Sequence, residues 1–356
     1  MKNKYRSSRS EEDRTQDTEY RIRTSCVLCP VFCVLSSVLC ILSGCSDSSQ
    51  SLLGDFYVKE VASAQSEAKH VMDEALADSD PVARVNAVEV VGTTGRVDFM
   101  PKVQRLLKDQ TPPVRFASCL AVGDLQYAPA KGVLGPLLKD EDANVIIAAS
   151  YAMGRLGSTE YYQVIRKAAE SKDQTVRANA VFLLGKIGNQ GELNLLKSVQ
   201  DDNFSADKVR FQCLEARARL GDEEVLKRLW ALVYSAYADD RVIAIRAIGA
   251  LSTARAKEIL GTKLDDIVLE VRLAAAEQLG RLGDKTGEAE VLAVFEKNLT
   301  SGIDKEAGER INVLTALAIG QIRTADLTKY LPQLLKNESK YVRIAAAKAV
   351  FQCNMR

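Results

Sequence analysis

Leu269-Glu-Val-Arg-Leu-Ala-Ala-Ala-Glu-Gln-Leu-Gly-Arg-Leu-Gly-Asp284 is the stretch that decides the fold. A Val-Arg pair opens it, alanines and leucines follow at helical spacing, and two glycines punctuate its end. The same phrase recurs along the chain. Its basic position falls on Arg84, Arg115, Ile146, Arg177, Arg210, Arg241, Arg272, Asn312 and Arg343. The step is 31 residues throughout, except for 33 before Arg210 and 40 before Asn312. A constant period of this length signals stacked supersecondary units whose hydrophobic faces are covered by their neighbours.

Each unit reads as two helices. Pro101-Lys-Val-Gln-Arg-Leu-Leu107 typifies the segment before the basic position, and Arg272 to Gly280 the one after it. Asp78, Asp109, Asp140 and Asp266 each stand six residues before the basic position, in the turn where a helix needs a cap. Gly92, Gly123, Gly154, Gly185, Gly249, Gly280 and Gly320 stand eight residues after it and suit close helix approach. A second glycine, as at Gly95, Gly157, Gly188, Gly221 and Gly283, suits a helix end. No useful length alternates with period two, so no sheet is expected. With 47% apolar residues, 27% charged and 8 prolines, the chain has no sizeable disordered tract.

Thr111-Pro-Pro-Val-Arg115, Asp173-Gln-Thr-Val-Arg177, Leu269-Glu-Val-Arg272 with Leu279-Gly-Arg-Leu-Gly-Asp284, and Lys340-Tyr-Val-Arg343 resemble HEAT repeats of the short kind found in phycobilisome-lyase subunits. The likeness covers about residues 60–356. The period is shorter than that of ordinary HEAT or armadillo units, and a single Trp and a single His cannot serve nine tetratricopeptide or ankyrin motifs. The resemblance implies an all-α, right-handed α-solenoid of about nine two-helix repeats, roughly 80 to 90 Å along its curve if stacked helices lie about 9 Å apart. It also implies a structural ladder between neighbouring repeats, carried here by Asp78, Arg84, Asp109, Arg115, Arg177, Arg210, Asp266, Arg272 and Arg343. Ile146 and Asn312 should interrupt it.

The first 44 residues differ from the rest. A polar lead with seven basic residues and five acids is followed by an uncharged run, Cys26 to Leu42, and then by Ser43-Gly44-Cys45. This is the order of a signal peptide, and its end resembles the bacterial lipobox, in which the cysteine receives a diacylglyceryl group. Cys45 is therefore the expected lipidation site, residues 45–58 a flexible Ser-rich tether, and residues 59–356 the repeat body. An uncleaved anchor helix is the alternative, although 17 apolar residues are short for a span. Both readings place the repeats outside the cytoplasmic membrane, lipid-anchored in the cell envelope and facing the periplasm or exterior. The lack of an aspartate after Cys45 points to the outer membrane.

Without that leader the net charge goes from +1 to −1, which leaves no general basic field for nucleic acid. Cys119, Cys213 and Cys353 sit at apolar positions in separate repeats and read as buried small hydrophobes. His70 is the only histidine, and no His/Cys/Asp cluster has metal-ligand spacing. Deoxyhypusine hydroxylases of HEAT type hold two irons with paired His-Glu motifs, which this chain lacks. No catalytic, metal or cofactor site is expected. The expected function is that of a protein-binding scaffold or adaptor. The alternatives are a subunit resembling the phycobilin lyase HEAT-like proteins, and a structural assembly factor of an envelope complex.

The second helices should line the concave face, with the residues two, five and nine after the basic position projecting from it. At the fifth position Leu120, Tyr151 and Phe182 replace the charges found in other repeats, and Arg155 and Lys186 flank them. These five residues are the candidate partner-binding strip. The long step implies an insertion near 295–310, a possible loop on a binding face. The chain stops near the last second helix with no polar cap, so that end is open to a partner or a second copy.

Overall fold

The protein is described by a computed structural model covering residues 48–353, and Cys45 with the leader lies outside them. All packing below lies within one compact unit, Gln50–Arg356. In chain order the helices of the first three repeats are α1 (Ser48–Ala75), α2 (Pro81–Thr94), α3 (Met100–Leu106), α4 (Pro112–Asp124), α5 (Lys131–Leu137) and α6 (Ala143–Arg155). Next come α7 (Tyr162–Ala168), α8 (Gln174–Ile187), α9 (Leu193–Asp201), α10 (Asp207–Arg219), α11 (Leu226–Val233) and α12 (Ala238–Leu251). The last are α13 (Ala254–Gly261), α14 (Leu269–Arg281), α15 (Glu288–Glu296), α16 (Lys305–Ile322), α17 (Ala325–Thr328), α18 (Leu331–Leu335) and α19 (Lys340–Gln352). No strand occurs among the described residues. The fold is all-α, a solenoid of two-helix repeats.

The helix that follows each turn packs against its counterparts on both sides, in the series α2, α4, α6, α8, α10, α12, α14, α16 and α19. Covered on several sides, it is apolar nearly all round: Ala274, Ala275 and Ala276 are fully buried. The glycine eight residues after the basic position makes the approach possible. A Cβ on Gly185 would lie 2.8 Å from Ala216 Cα, and one on Gly320 would lie 2.9 Å from Ala349 Cα.

The series closes on itself. α19 packs against α2, so the last repeat covers the first. Phe351 is buried and its ring lies 6.3 Å from Phe99, with the Arg96 guanidinium 3.9 Å above it. Lys340 Nζ reaches Asp78 at 3.0 Å and Asp80 at 3.1 Å, the Tyr341 hydroxyl donates to Asp80 at 2.5 Å, and Lys348 meets Glu89 at 3.3 Å. This corrects the open C-terminal end and its expected self-association, because the apolar face of α19 is covered by the chain's own first repeat. Nine similar rotations between short units bring the ends together.

The same seam should respond to acid. Hydrogen bonds from Tyr341, then from the Val82 amide and Lys340, hold the Asp80 carboxyl down at about 2. The Asp80 amide, then Lys340, lowers that of Asp78. Groups depressed in the folded state contribute stability above their ordinary value of about 3.9 and lose it as pH falls through the folded value. The thermal midpoint should therefore hold from pH 7 to about 5 and fall between about 4 and 2. Asp80→Asn should flatten part of that fall in a pH series followed by circular dichroism; an unchanged profile would remove Asp80 from the seam.

The ladder is present and differs in membership from expectation. Arg84 donates to both oxygens of Asp109 at 2.9 Å, and Arg115 to those of Asp140 at 2.9 and 2.7 Å. Arg177 reaches Asp202 at 2.6 Å, and Arg241, absent from the expected set, reaches Asp266 at 2.8 Å. Each of these acids belongs to the following repeat, 25 residues on. There its carboxylate also accepts the amide two residues ahead, as Asp109 does from Thr111 at 2.9 Å, an Asx turn two residues before the N-cap position of Thr111. Asp78 makes the same turn with the Asp80 amide and takes its cation from Lys340.

Arg210 is a correction. The residue 25 positions beyond it is Ser235, and Arg210 makes only 3.4 Å contacts with Asp207 and the Asp202 carbonyl. Arg272, facing Lys297 at that spacing, turns to Glu290 at 2.7 Å. Arg343 uses its own turn, donating to the carbonyls of Asn337 and Glu338.

Two boundaries also move. The expected tether at 45–58 is helical from Ser48 onward, since Leu52, Phe56 and Leu53, Tyr57 already carry the helical spacing that α1 continues. The insertion lengthens α16, which starts seven residues before Asn312 instead of three. The rest of it is a turn with Asn298 at φ 50° and Gly302 at φ 78°.

Candidate functional site: the inner face of the ring

The inner helices of repeats one to five enclose a half-open groove of about 640 Å³. Val85, Val88, Phe116, Leu120 and Phe182 form its floor. Pro112, Pro113, Asp142, Asn144 and Thr175 line one end, where the inner helices begin, and Asp124, Lys186 and Arg219 the other, where they finish. Ladder pairs and alanine packing consume the other faces of these helices, so the groove is built from what the repeat frame leaves free.

At its far end the groove runs into a second space of about 450 Å³, lined by Asp124, Tyr151, Arg155, Lys186, Arg219, Ala250 and Arg281. These residues come from repeats two to seven and meet because the inner helices converge on a shared centre. An ion pair also crosses it: Lys186 Nζ reaches Asp124, two repeats back, at 2.8 Å.

The five expected strip residues separate. Leu120 and Phe182 are half-buried and line the groove, and Arg155 and Lys186 line the mouth. Tyr151 is a correction: it is 2% exposed, and its hydroxyl donates to Asp124 at 2.6 Å. Burial, then Asp124, raises the Tyr151 phenol well above its ordinary value, so it remains a donor. Lys186 lies 5.9 Å from the Tyr151 ring and 5.8 Å from that of Phe182, which ties the strip together at Asp124. Lys186 does lack an acid on its own helix, yet it is neutralised across the ring.

Val85, Phe116, Arg219 and Arg281 were not anticipated. The first two stand one residue after the basic position, a row outside the expected two, five and nine. Phe116 beside Leu120, four residues apart on α4, was the available signal. Arg219 and Arg281 lie in the expected ninth-position row, each four residues after a glutamate on its own helix, a spacing that suits a solvated ion pair. Arg219 does hold Glu215 at 2.6 Å. Arg281 is exposed, and its pKa is lowered by desolvation from the protein around the centre and then by Arg219.

Burial pushes the Cys213 thiol up to about 12, that of Cys353 to about 11, and that of Cys119 higher, so none is a ready thiolate. His70 sits on α1, exposed, 3.2 Å from Glu74. Among the described residues no group of three or more His, Cys, Asp or Glu side chains is placed to hold a metal, and no helix is long and apolar enough to cross a membrane.

No curated protein matches the chain in sequence. Among solved structures it is similar to human deoxyhypusine hydroxylase in complex with glycerol, at 16% identity over 75% of this chain and 99% of that one, with a TM-score of 0.37. It is also similar to Kap121p bound to Nup53p, at 15% identity over 79% of this chain and 36% of that one, TM-score 0.32. A third is the complex of CpcE and CpcF of phycocyanin lyase from Nostoc sp. PCC7120, at 18% identity over 79% and 93%, TM-score 0.29. Residues 132–208, from α5 into α10, match the family of HEAT repeats.

Proposed function

We propose that the protein is a non-enzymatic binding scaffold, held to a membrane of the cell envelope by lipid on Cys45, that captures a segment of a protein partner on the inner face of its ring. The carrying observation is the groove over Val85, Val88, Phe116, Leu120 and Phe182, a half-open channel with an apolar floor on the concave side of the repeats. A rigid frame that leaves one concave apolar surface suits capture of an extended or helical segment. The order of basic lead, apolar run and Ser43-Gly44-Cys45 supports the tether.

A photo-crosslinking residue placed at Leu120 in the protein's own cells tests this reading. Specific crosslinked species should form and should vanish in Phe116→Ser/Phe182→Ser, while the purified variant loses about 4 kcal/mol or less of its stability. Membrane fractionation of Cys45→Ser in the same cells should show loss of the tether. Crosslinking that is unaffected by the double change would reject the groove as the capture site.

A further inference from the structure

The mouth of the groove carries more positive charge than the protein uses. Arg155, Lys186, Arg219 and Arg281 all border the 450 Å³ space, with Asp124 as its one acid. Asp124 serves Lys186, and Glu215 serves Arg219. Among the described residues, Arg155 and Arg281 have no carboxylate within ion-pair distance. Arg155 makes only a 3.5 Å contact with the Gly123 carbonyl.

Each of the four cations stands in or just before the last turn of its helix, where the helix dipole favours a basic residue. That accounts for one cation per helix. It gives no reason for four helices to direct them into one space, where Arg219 acts against the charge on Arg281 while Glu277 and Glu215, neither within ion-pair distance of it, support that charge. An anion between them would relieve that repulsion and accept donors from two planar guanidinium groups. The mouth is continuous with the apolar groove through three shared residues, Asp124, Lys186 and Arg219.

We propose that Arg155 and Arg281 bind an acidic group on the segment held in the groove, so that the ring selects a peptide with an apolar stretch followed directly by a carboxylate or phosphate. This rests on the groove being a capture site. It predicts the polarity of the bound segment: apolar side chains over Phe116, Leu120 and Phe182, and the acidic end toward Arg155 and Arg281. Lys186 and Arg219 flank the acid with their own charges already balanced.

The test uses the purified chain from Cys45 to Arg356 and isothermal titration with short synthetic peptides. The first is Leu-Ala-Val-Phe-Asp-Glu, the second its Asn-Gln counterpart, and a third carries phosphoserine in place of the acids. The acidic peptide should bind about tenfold more tightly than the neutral one, the scale of one charge-assisted contact, with the advantage shrinking as salt rises. Arg155→Gln/Arg281→Gln should abolish that advantage and leave the neutral peptide's affinity unchanged. Both side chains lie at the rim, so the variant should keep its thermal midpoint. Phe182→Ser should weaken both peptides alike. Whether the carboxylate or the phosphoserine peptide binds better identifies the anion.

Equal binding of acidic and neutral peptides, or an advantage that survives Arg155→Gln/Arg281→Gln, would overturn the acidic mouth while leaving the groove in place. Failure of every peptide to bind would overturn both.

Discussion

Replacing Arg115 by Met lowers the stability of the ring by about 3 to 5 kcal/mol, whereas Arg210→Met changes it by about 0.5 kcal/mol or less. The two arginines hold equivalent places in the repeat phrase, so their sequence context gives them similar weight. Their surroundings differ. The Arg115 side chain is 9% exposed and that of Asp140 is 8%. Nε and Nη2 grip both carboxylate oxygens, and Nη1 holds the carbonyls of Asp109 and Gln110. Removal leaves a buried carboxylate and two turn carbonyls without their donor. Burial alone would raise the Asp140 carboxyl, and the Arg115 hydrogen bond reverses this, so the net direction is downward. Without Arg115 the acid should take up a proton well above its present value.

Arg210 ends among solvent-facing partners at 3.4 Å, where an ion pair is worth little. Urea unfolding of both single variants measures the difference. Arg115→Met/Asp140→Leu should recover much of the Arg115→Met loss, because the cost comes from the stranded charge more than from the missing pair. A loss below about 1 kcal/mol for Arg115→Met would make the rung incidental to stability.

The difference between those arginines shows how far the residues alone could be read. The period locates the inner helices closely: most begin three residues before the basic position, and the longer α16 marks the insertion. Rung membership follows once the acid 25 residues on is consulted, since Ser235 disqualifies Arg210 while Asp266 admits Arg241. The inner surface is harder. Tyr151 and Phe182 share a register position, yet one is core and the other lines the groove. Gly123 leaves a slot into which the Tyr151 ring fits, with a Cβ there falling 2.7 Å from its edge. The equivalent slot at Gly154 is filled by Tyr162, a residue from the next outer helix, so Phe182 stays at the centre. A position in a row cannot reveal which neighbour fills the slot beside it. Ring closure is further removed still, because it is the sum of nine small rotations and no single phrase contains it.

Phe351→Ala tests that closure and should cost about 3 to 5 kcal/mol, the range for emptying a buried aromatic site. Phe351 is 7% exposed, and part of its covering comes from residues some 250 positions earlier: the Phe99 ring at 6.3 Å and the Arg96 guanidinium at 3.9 Å. In an open array the last helix would touch only the repeat before it, and truncating its side chain would loosen α16 and α19 alone. In the closed ring the same change frees the opposite terminus of the repeat series. Amide exchange followed by mass spectrometry should therefore accelerate in α2 and in Val97–Phe99, by about a hundredfold if the seam opens about 3 kcal/mol more readily, while α8 and α10 on the far side keep their protection. Lys340→Ala should give a smaller effect at the same place, because its contacts to Asp78 and Asp80 are partly solvated. Acceleration confined to residues after Lys305 would mean that the two ends do not meet in solution. It would also return the apolar face of α19 to the surface. Persistent communication between Phe351 and α2 would make the groove part of a closed frame, whose width is set by nine repeats together and cannot be changed by loosening one.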